Sequence, residues 1–310
     1  MEKKPLLILT GPTAVGKTEI SIHLAKACNG EIISADSMQV YRQMDVGTAK
    51  ISPGQMEGVP HYMIDELDPD EEFNVFLFQK KAKAYMADIY ARGKLPILVG
   101  GTGFYIQSVL YDIAFTEQEQ DKSFSEALQN MTRHALYERL QKEDPEYAET
   151  VHENNVKRVM RALEYKHLTG EMFSAHNKKQ REKQSPYQFA YYVLNMERAS
   201  LYDNIDRRVD QMMRIGLADE VERLLKSGYS RSLVSMQGLG YKEIAAALCG
   251  ECTMDEAVAL LKRNTRHFAK RQLTWFRRER DVCFMEKEHY SCNEKIVEAI
   301  IHSAREKGVL

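Results

Sequence analysis

Long apolar runs, a large overall charge (the net is −2) and a cysteine framework are all missing from this chain. The first apolar run, Leu6-Leu7-Ile8-Leu9 behind Met1-Glu2-Lys3-Lys4, stops at Thr10-Gly11. That is too short for a secretion-signal core or a membrane span, so a cytoplasmic protein with no membrane partner is expected. Five cysteines, an odd number without regular spacing, argue against a disulfide-stapled secreted domain. Cys249-Gly250-Glu251-Cys252 has the spacing of half a zinc site, but Cys283 and Cys292 are too far apart to complete it. None of the nine histidines forms an HExxH pair, and no repeat period is visible. What remains is 310 residues, 44% of them hydrophobic, enough for a real core and about two domains.

Against these absences stands one complete motif. Gly11-Pro12-Thr13-Ala14-Val15-Gly16-Lys17-Thr18 is a phosphate-binding loop directly after the apolar run. Such a loop wraps a polyphosphate in backbone N–H groups, with Lys17 as point charge and the Thr18 hydroxyl on Mg²⁺. Ile20, Leu24, Ala25 and Cys28 follow at helical spacing, which predicts a helix whose N-terminus faces the anion. A P-loop alone does not choose between kinases, GTPases, ATPases and other phosphate users.

Two further segments read as buried strands that deliver polar groups from their ends. Glu31-Ile32-Ile33-Ser34-Ala35 leads to Asp36, and Pro96-Ile97-Leu98-Val99 leads to Gly100-Gly101-Thr102-Gly103. Between them Val75, Phe78, Ala82, Tyr85, Met86 and Ile89 keep the spacing of a crossover helix. The expected fold class is α/β: a P-loop NTPase-like parallel sheet flanked by helices, with an inserted all-helical domain. In such sheets ligands gather at the carboxyl ends of strands, so Gly11–Thr18, Asp36 and Thr102 should share one crevice. No Walker-B acid follows Val99.

From about Phe115 to Asn195 the composition turns charged and helical, which sets the expected organisation: a P-loop core of residues 1–114 and 196–310, and a helical insertion of residues 115–195. Within the insertion, Lys157-Arg158-Val159-Met160-Arg161 alternates cations with apolar positions, while the polar stretch His176–Lys183 reads as a loop, either hinge or connector. Beyond it Leu201, Ile205, Val209, Met212 and Met213 mark a buried helix face bordered by Arg207, Arg208 and Arg214. Lys262–Arg280 carries eight cations against the single acid Glu279, with Phe268, Trp275 and Phe276 interleaved. That run is either a nucleic-acid footprint on a helix or a solvated face.

In combination these pieces closely resemble the bacterial tRNA dimethylallyltransferases. The resemblance is carried, in chain order, by the P-loop, by Ile33-Ser34-Ala35-Asp36-Ser37-Met38-Gln39-Val40-Tyr41-Arg42, by Asp45-Val46-Gly47-Thr48-Ala49-Lys50, by Val99-Gly100-Gly101-Thr102-Gly103-Phe104-Tyr105 and by Lys270-Arg271-Gln272-Leu273-Thr274-Trp275-Phe276-Arg277. It implies transfer of a dimethylallyl group from its diphosphate to N6 of adenosine 37, beside the anticodon, in tRNAs reading codons that begin with U. It also implies Mg²⁺ as cofactor, no need to hydrolyse ATP, and hence no need for a Walker-B acid.

On the same resemblance Asp36, Thr102 and Arg214 form the catalytic set. An adenine amine is a poor nucleophile, and a carboxylate that removes its proton as the new bond forms would activate it. Asp36 takes that role by position and by resemblance; a metal-associated or helix-capping carboxylate is the alternative. Lys17, Mg²⁺ on Thr18, and Arg214 would stabilise the departing diphosphate, Thr13 and the loop amides would complete its cradle, and Thr102 would touch the adenosine. Asp36-Ser37-Met38-Gln39 and Lys157–Arg161 would lie against the anticodon stem-loop, extended by the basic helix from Lys262, with the target base turned out of its stack. A monomer is expected. Gln237-Gly238-Leu239-Gly240-Tyr241-Lys242 departs from relatives that carry arginines at its outer positions. An adenylate isopentenyltransferase using free AMP or ADP, a small-molecule kinase and an RNA-binding nucleotide switch are the rival readings.

Overall fold

The computed structural model describes residues 3–115 and 121–310, apart from the side chain of Arg181. Six strands form one sheet: β1 (Lys4–Thr10), β2 (Gly30–Ala35), β3 (His61–Tyr62), β4 (Leu95–Gly100), β5 (Tyr187–Asn195) and β6 (Val282–Glu286). Their order is β3-β2-β4-β1-β5-β6 and every pairing is parallel. Parallel strands buried on both faces read as continuous apolar runs, and Leu6 to Leu9 and Tyr191 to Leu194 are almost wholly enclosed. The register sets Thr10 opposite Gly100, and Ala35 opposite the same Gly100. The P-loop, Asp36 and Thr102 therefore leave the sheet at one edge.

The helices, in chain order, are α1 (Lys17–Ala27), α2 (Val75–Ala91), α3 (Gly103–Leu110), α4 (Lys122–Gln129), α5 (Arg133–Glu143), α6 (Pro145–Ala148), α7 (Val156–Thr169), α8 (Phe173–Glu182), α9 (Arg198–Arg214), α10 (Leu217–Lys226), α11 (Tyr241–Leu248), α12 (Met254–Phe276) and α13 (Asn293–Glu306). Two compact units result: the sheet with its helices, Met1–Leu110 plus Pro186–Leu310, and a helical unit, Tyr111–Ser185.

Three expectations need correcting. The insertion ends at Ser185 and not at residue 195, because Tyr187–Asn195 is a strand between β1 and β6; its run of aromatic and β-branched residues packs on both faces of the sheet. Residues 116–120 of the expected helical stretch lie outside the described residues. The polar stretch His176–Lys183 is not a loop: α8 runs to Glu182, its first turn held by Asp144, whose Oδ2 accepts the Ser174 N–H. The basic helix stops at Phe276, so Arg277, Arg278 and Arg280 lie beyond its end.

Packing within the helical unit follows from periodicity. Val159, Ala162 and Leu163 of α7 join Leu128, Leu136, Leu140, Ala148 and Val151 in a small core. Asp121, Thr132 and Asp144 cap the N-termini of α4, α5 and α6 by accepting backbone N–H bonds.

Candidate active site

The loop between β1 and α1 turns through left-handed backbone at Ala14 (φ 64°) and Gly16 (φ 93°). Successive amides in such a turn converge into an anion-binding concavity at the start of α1. Lys17 Nζ donates to the carbonyls of Gly11 at 2.9 Å and Pro12 at 2.8 Å, which holds the cation across the loop. Burial and the nearby positive Arg208 pull its pKa down to about 7, against the attraction of Asp36. Two cations and one carboxylate thus share a confined space, an excess of positive charge that a diphosphate would relieve.

Asp36 follows β2, and its Oδ1 accepts the Met38 N–H at 2.8 Å. This turn fixes the carboxyl direction. Thr102 comes alongside because its N–H donates to the Ala35 carbonyl at 3.1 Å. The strand-end convergence expected from sequence is what the backbone builds. Asp36 closes a turn and caps no helix, since none follows β2 before α2, and its charge acts on both Lys17 and Arg208.

The arginine that the structure brings to Lys17 and Asp36 is Arg208, while the expected Arg214 faces solvent. Arg208, in mid-α9, has its pKa lowered by burial with Asp36 as the opposing charge. Arg214 is exposed in the last turn of the same helix, and Arg207 is exposed as well. The reason is helical phase: Arg208 borders the stripe of Leu201, Ile205 and Val209, which is buried.

Several residues to which the sequence assigned no role hold these loops, together with Gln39, which was expected to face the tRNA. Glu220, 1% exposed, accepts N–H bonds from Asp45 (2.9 Å), Val46 (2.8 Å) and Gly47 (3.0 Å), and its Oε1 also accepts from the Tyr241 hydroxyl at 2.7 Å. A buried carboxylate with four donors is fully satisfied, and it pins the segment after Gln39. Lys50 donates to the Tyr41 carbonyl and to Asp45 and Asp65. Gln39 accepts from Ser34 Oγ and donates to the Thr48 carbonyl, so its amide is committed within the protein. Gln272 accepts from the Thr13 N–H and donates to the Gly101 carbonyl. A Cβ on Gly101 would collide with Gln272, and one on Gly103 with Trp275. The glycines after β4 therefore admit α12 to the sheet edge. Tyr241 packs on Gly47 and serves this scaffold.

For a divalent cation the fit is that of a P-loop. Among the described residues no group of three His, Cys, Asp or Glu side chains could cage a metal ion. Thr18 is exposed, and its hydroxyl makes no hydrogen bond among the described residues. A Mg²⁺ here would take that hydroxyl together with oxygens of the bound diphosphate and water, as this hard cation prefers. All five cysteines are free.

The expected RNA-facing residues divide. On α7, Lys157, Arg158 and Arg161 are exposed, whereas Val159 is fully buried and Met160 packs against the helical unit's core. Those two are corrected to structural residues, since the spacing that exposes the cations turns them inward. Arg161, Lys179 and Lys183 all act electrostatically on His176, so cations of α7 and of the segment around α8 lie close together. On α12 the basic run is not uniform. Lys262 pairs with Asp210 at 2.6 Å and Arg266 Nη1 donates to both carboxylate oxygens of Asp206, which leaves Arg263, Lys270 and Arg271 as the exposed stripe.

A parallel sheet, a P-loop and a carboxylate at the loop's mouth define a P-loop protein built for group transfer at an anion. The profile of the family described as IPP transferase matches residues 39–279, and that of Isopentenyl transferase matches residues 4–69. A tRNA dimethylallyltransferase of Lachnoclostridium phytofermentans is 57% identical over 99% of both chains. Among solved structures, the full-length tRNA isopentenylpyrophosphate transferase of Bacillus halodurans is 44% identical, with a TM-score of 0.76 over 99% of this chain and 98% of that one. A eukaryotic dimethylallyltransferase acting on tRNA superposes with a TM-score of 0.85 at 27% identity, over 98% of this chain and 80% of that chain. The chain belongs to the tRNA dimethylallyltransferase family.

Proposed function

We propose that this protein transfers the dimethylallyl group of dimethylallyl diphosphate to N6 of adenosine 37 in tRNAs that read codons beginning with U, releasing diphosphate. The observation that carries the reading is the adjacency of Asp36 to Lys17 of the loop and to Arg208 of α9: its charge acts on both. A base and a leaving-group site thus share one mouth. The N6–C1 bond forms as the C1–O bond breaks, the N6 proton passes to Asp36, and the electron pair of the broken bond leaves on the diphosphate. The loop amides, Lys17 and Arg208 meet that growing charge, in the role first assigned to Arg214. A Mg²⁺ on Thr18 would add Lewis-acid stabilisation of the same oxygens.

Adenosine 37 is stacked in its loop and must be extruded to reach Asp36. Asp36, Ser37, Met38 and Thr102 line the approach, while Lys157, Arg158, Arg161 and the stripe Arg263, Lys270 and Arg271 are free to contact the phosphates of the anticodon stem-loop. Eukaryotic dimethylallyltransferase, the solved neighbour described as acting on tRNA, supports an RNA acceptor. Among the described residues no helix is long and apolar enough to cross a membrane. The proposal takes the enzyme as a cytoplasmic monomer, which light scattering during size exclusion checks.

Incubating the protein with Mg²⁺, dimethylallyl diphosphate and either an anticodon stem-loop or free AMP tests the function. A mass gain on the stem-loop is expected. Gain on AMP alone would overturn the choice of acceptor, and in a parallel incubation that also contains ATP, its consumption without prenyl transfer would return the protein to the kinases.

A further inference from the structure

Gln272 lies in mid-α12, in a run that sequence reading treated as an RNA-facing helix, but its side chain is 6% exposed and turned toward the sheet. Its Oε1 accepts the Thr13 N–H at 2.9 Å and its Nε2 donates to the Gly101 carbonyl at 3.0 Å. An N–H can only donate and a carbonyl can only accept, so the partners fix the amide's orientation. Thr13 belongs to the loop that cradles the diphosphate. Gly101 precedes Thr102, the residue beside Asp36 that faces the acceptor base.

We propose that Gln272 is a positioning residue that fixes the distance between the donor loop and the acceptor loop; this rests on the function proposed above. One planar amide bridges the two loops, and among the described residues the other side-chain hydrogen bond nearby joins the strands that precede them, from the Thr10 hydroxyl of β1 to the Gly100 carbonyl of β4. The Thr13 N–H, once bonded to Gln272, is withdrawn from the cradle, so the diphosphate meets the amides from Ala14 onward. Only a side-chain amide of this length offers an acceptor and a donor side by side. Asparagine is one methylene short, and an ionised glutamate presents two acceptors, one of them against the Gly101 carbonyl. In-line displacement requires N6 and C1 at about 3 to 3.5 Å, and loosening by about 1 Å costs roughly a hundredfold in rate. A bridge between the loops acts on that distance without touching either substrate.

The test compares Gln272→Met, which keeps the volume and removes both bonds, with Gln272→Glu. Single-turnover rates at saturating dimethylallyl diphosphate and stem-loop are measured alongside the Kd of each substrate and the thermal midpoint. The Met variant is expected to lose roughly ten- to a hundredfold in rate, with both Kd values within about threefold of the parent. In the Glu variant the rate relative to the parent should rise as pH falls, because a protonated carboxyl regains a donor for Gly101. Parent-like rates in the Met variant, or a loss accounted for by its unfolded fraction, would overturn the proposal, as would a Glu-to-parent ratio flat with pH. Failure of the parent itself to modify the stem-loop would instead overturn the function on which the proposal rests.

Discussion

The sheet unit and the helical unit handle charge in opposite ways. In the sheet unit, ionisable groups go inside: Glu220 and Glu243 are almost fully buried with their partners, and Lys17 and Arg208 are shifted by burial. In the helical unit, Asp144 is the charged group taken inside among the described residues, and it is committed to capping α6 and holding Ser174. Lys157, Arg158 and Arg161 stay in solvent above a core of leucine, valine and alanine. Enclosed charges focus a strong field on a small anion, whereas exposed ones follow an extended polyanion and are screened by salt. On the proposed function the two arrangements suit two kinds of phosphate recognition, and each kind should fail differently when perturbed.

The sharpest break comes from the sheet unit. Asp36→Asn keeps the acceptor for the Met38 N–H and removes the base. Single-turnover prenyl transfer should fall about a thousandfold, as loss of a general base does, while stem-loop affinity stays within about threefold. Rapid-quench kinetics decide it, and a parent-like rate would leave the carboxylate as a cap only. A smaller effect is expected from the helical unit. Arg158→Ala with Arg161→Ala should weaken stem-loop binding by roughly tenfold and flatten the dependence of log Kd on log salt by about two phosphate contacts, leaving the rate at saturation unchanged. A changed saturating rate with an unchanged salt slope would contradict the division between the units.

How much of this was legible follows the same line. The P-loop and Asp36 are contiguous with strands whose apolar runs announce them, so local sequence places them together at the carboxyl ends of the strands adjoining β4. Arg208 was legible but misread. At about 100° per residue it lies roughly 60° from Ile205, at the border of the buried stripe, while Arg214 lies roughly 180° away and must face solvent. Resemblance had favoured an arginine without asking which face it shared. Strand β5 was absorbed into the insertion because the charged composition before Ser185 masked the change of period at Tyr187. Gln272, Glu220 and Tyr241 were illegible, since their partners lie far away in sequence, at Thr13, Gly101 and Asp45 to Gly47, and only the folded chain brings them into contact. The inward pairing of Lys262 and Arg266 was hidden for the same reason: a count of charges does not show which of them meet Asp210 and Asp206.

The gentlest test of the contrast uses pH. Lys17 has a native pKa of about 7 against 10.5 for an ordinary lysine, because burial and Arg208 disfavour its charged form. The unfolded chain therefore binds the extra proton between those values, so the native-state penalty is full below pH 7 and fades as pH rises toward 10.5. Replacing Lys17 by Met should stabilise the protein most below pH 7, with the difference shrinking on the alkaline side. Binding of a diphosphate runs the other way, since it needs the ammonium. Half of Lys17 is charged at pH 7 and about a tenth at pH 8, so donor affinity should fall by about fivefold over that unit. Lys17→Arg, whose guanidinium stays charged, removes this trend and isolates the donor's own ionisation. Stem-loop affinity, resting on exposed lysine and arginine side chains, should stay level from pH 7 to 8. A parallel decline of both affinities would mean that the two units do not read phosphate separately.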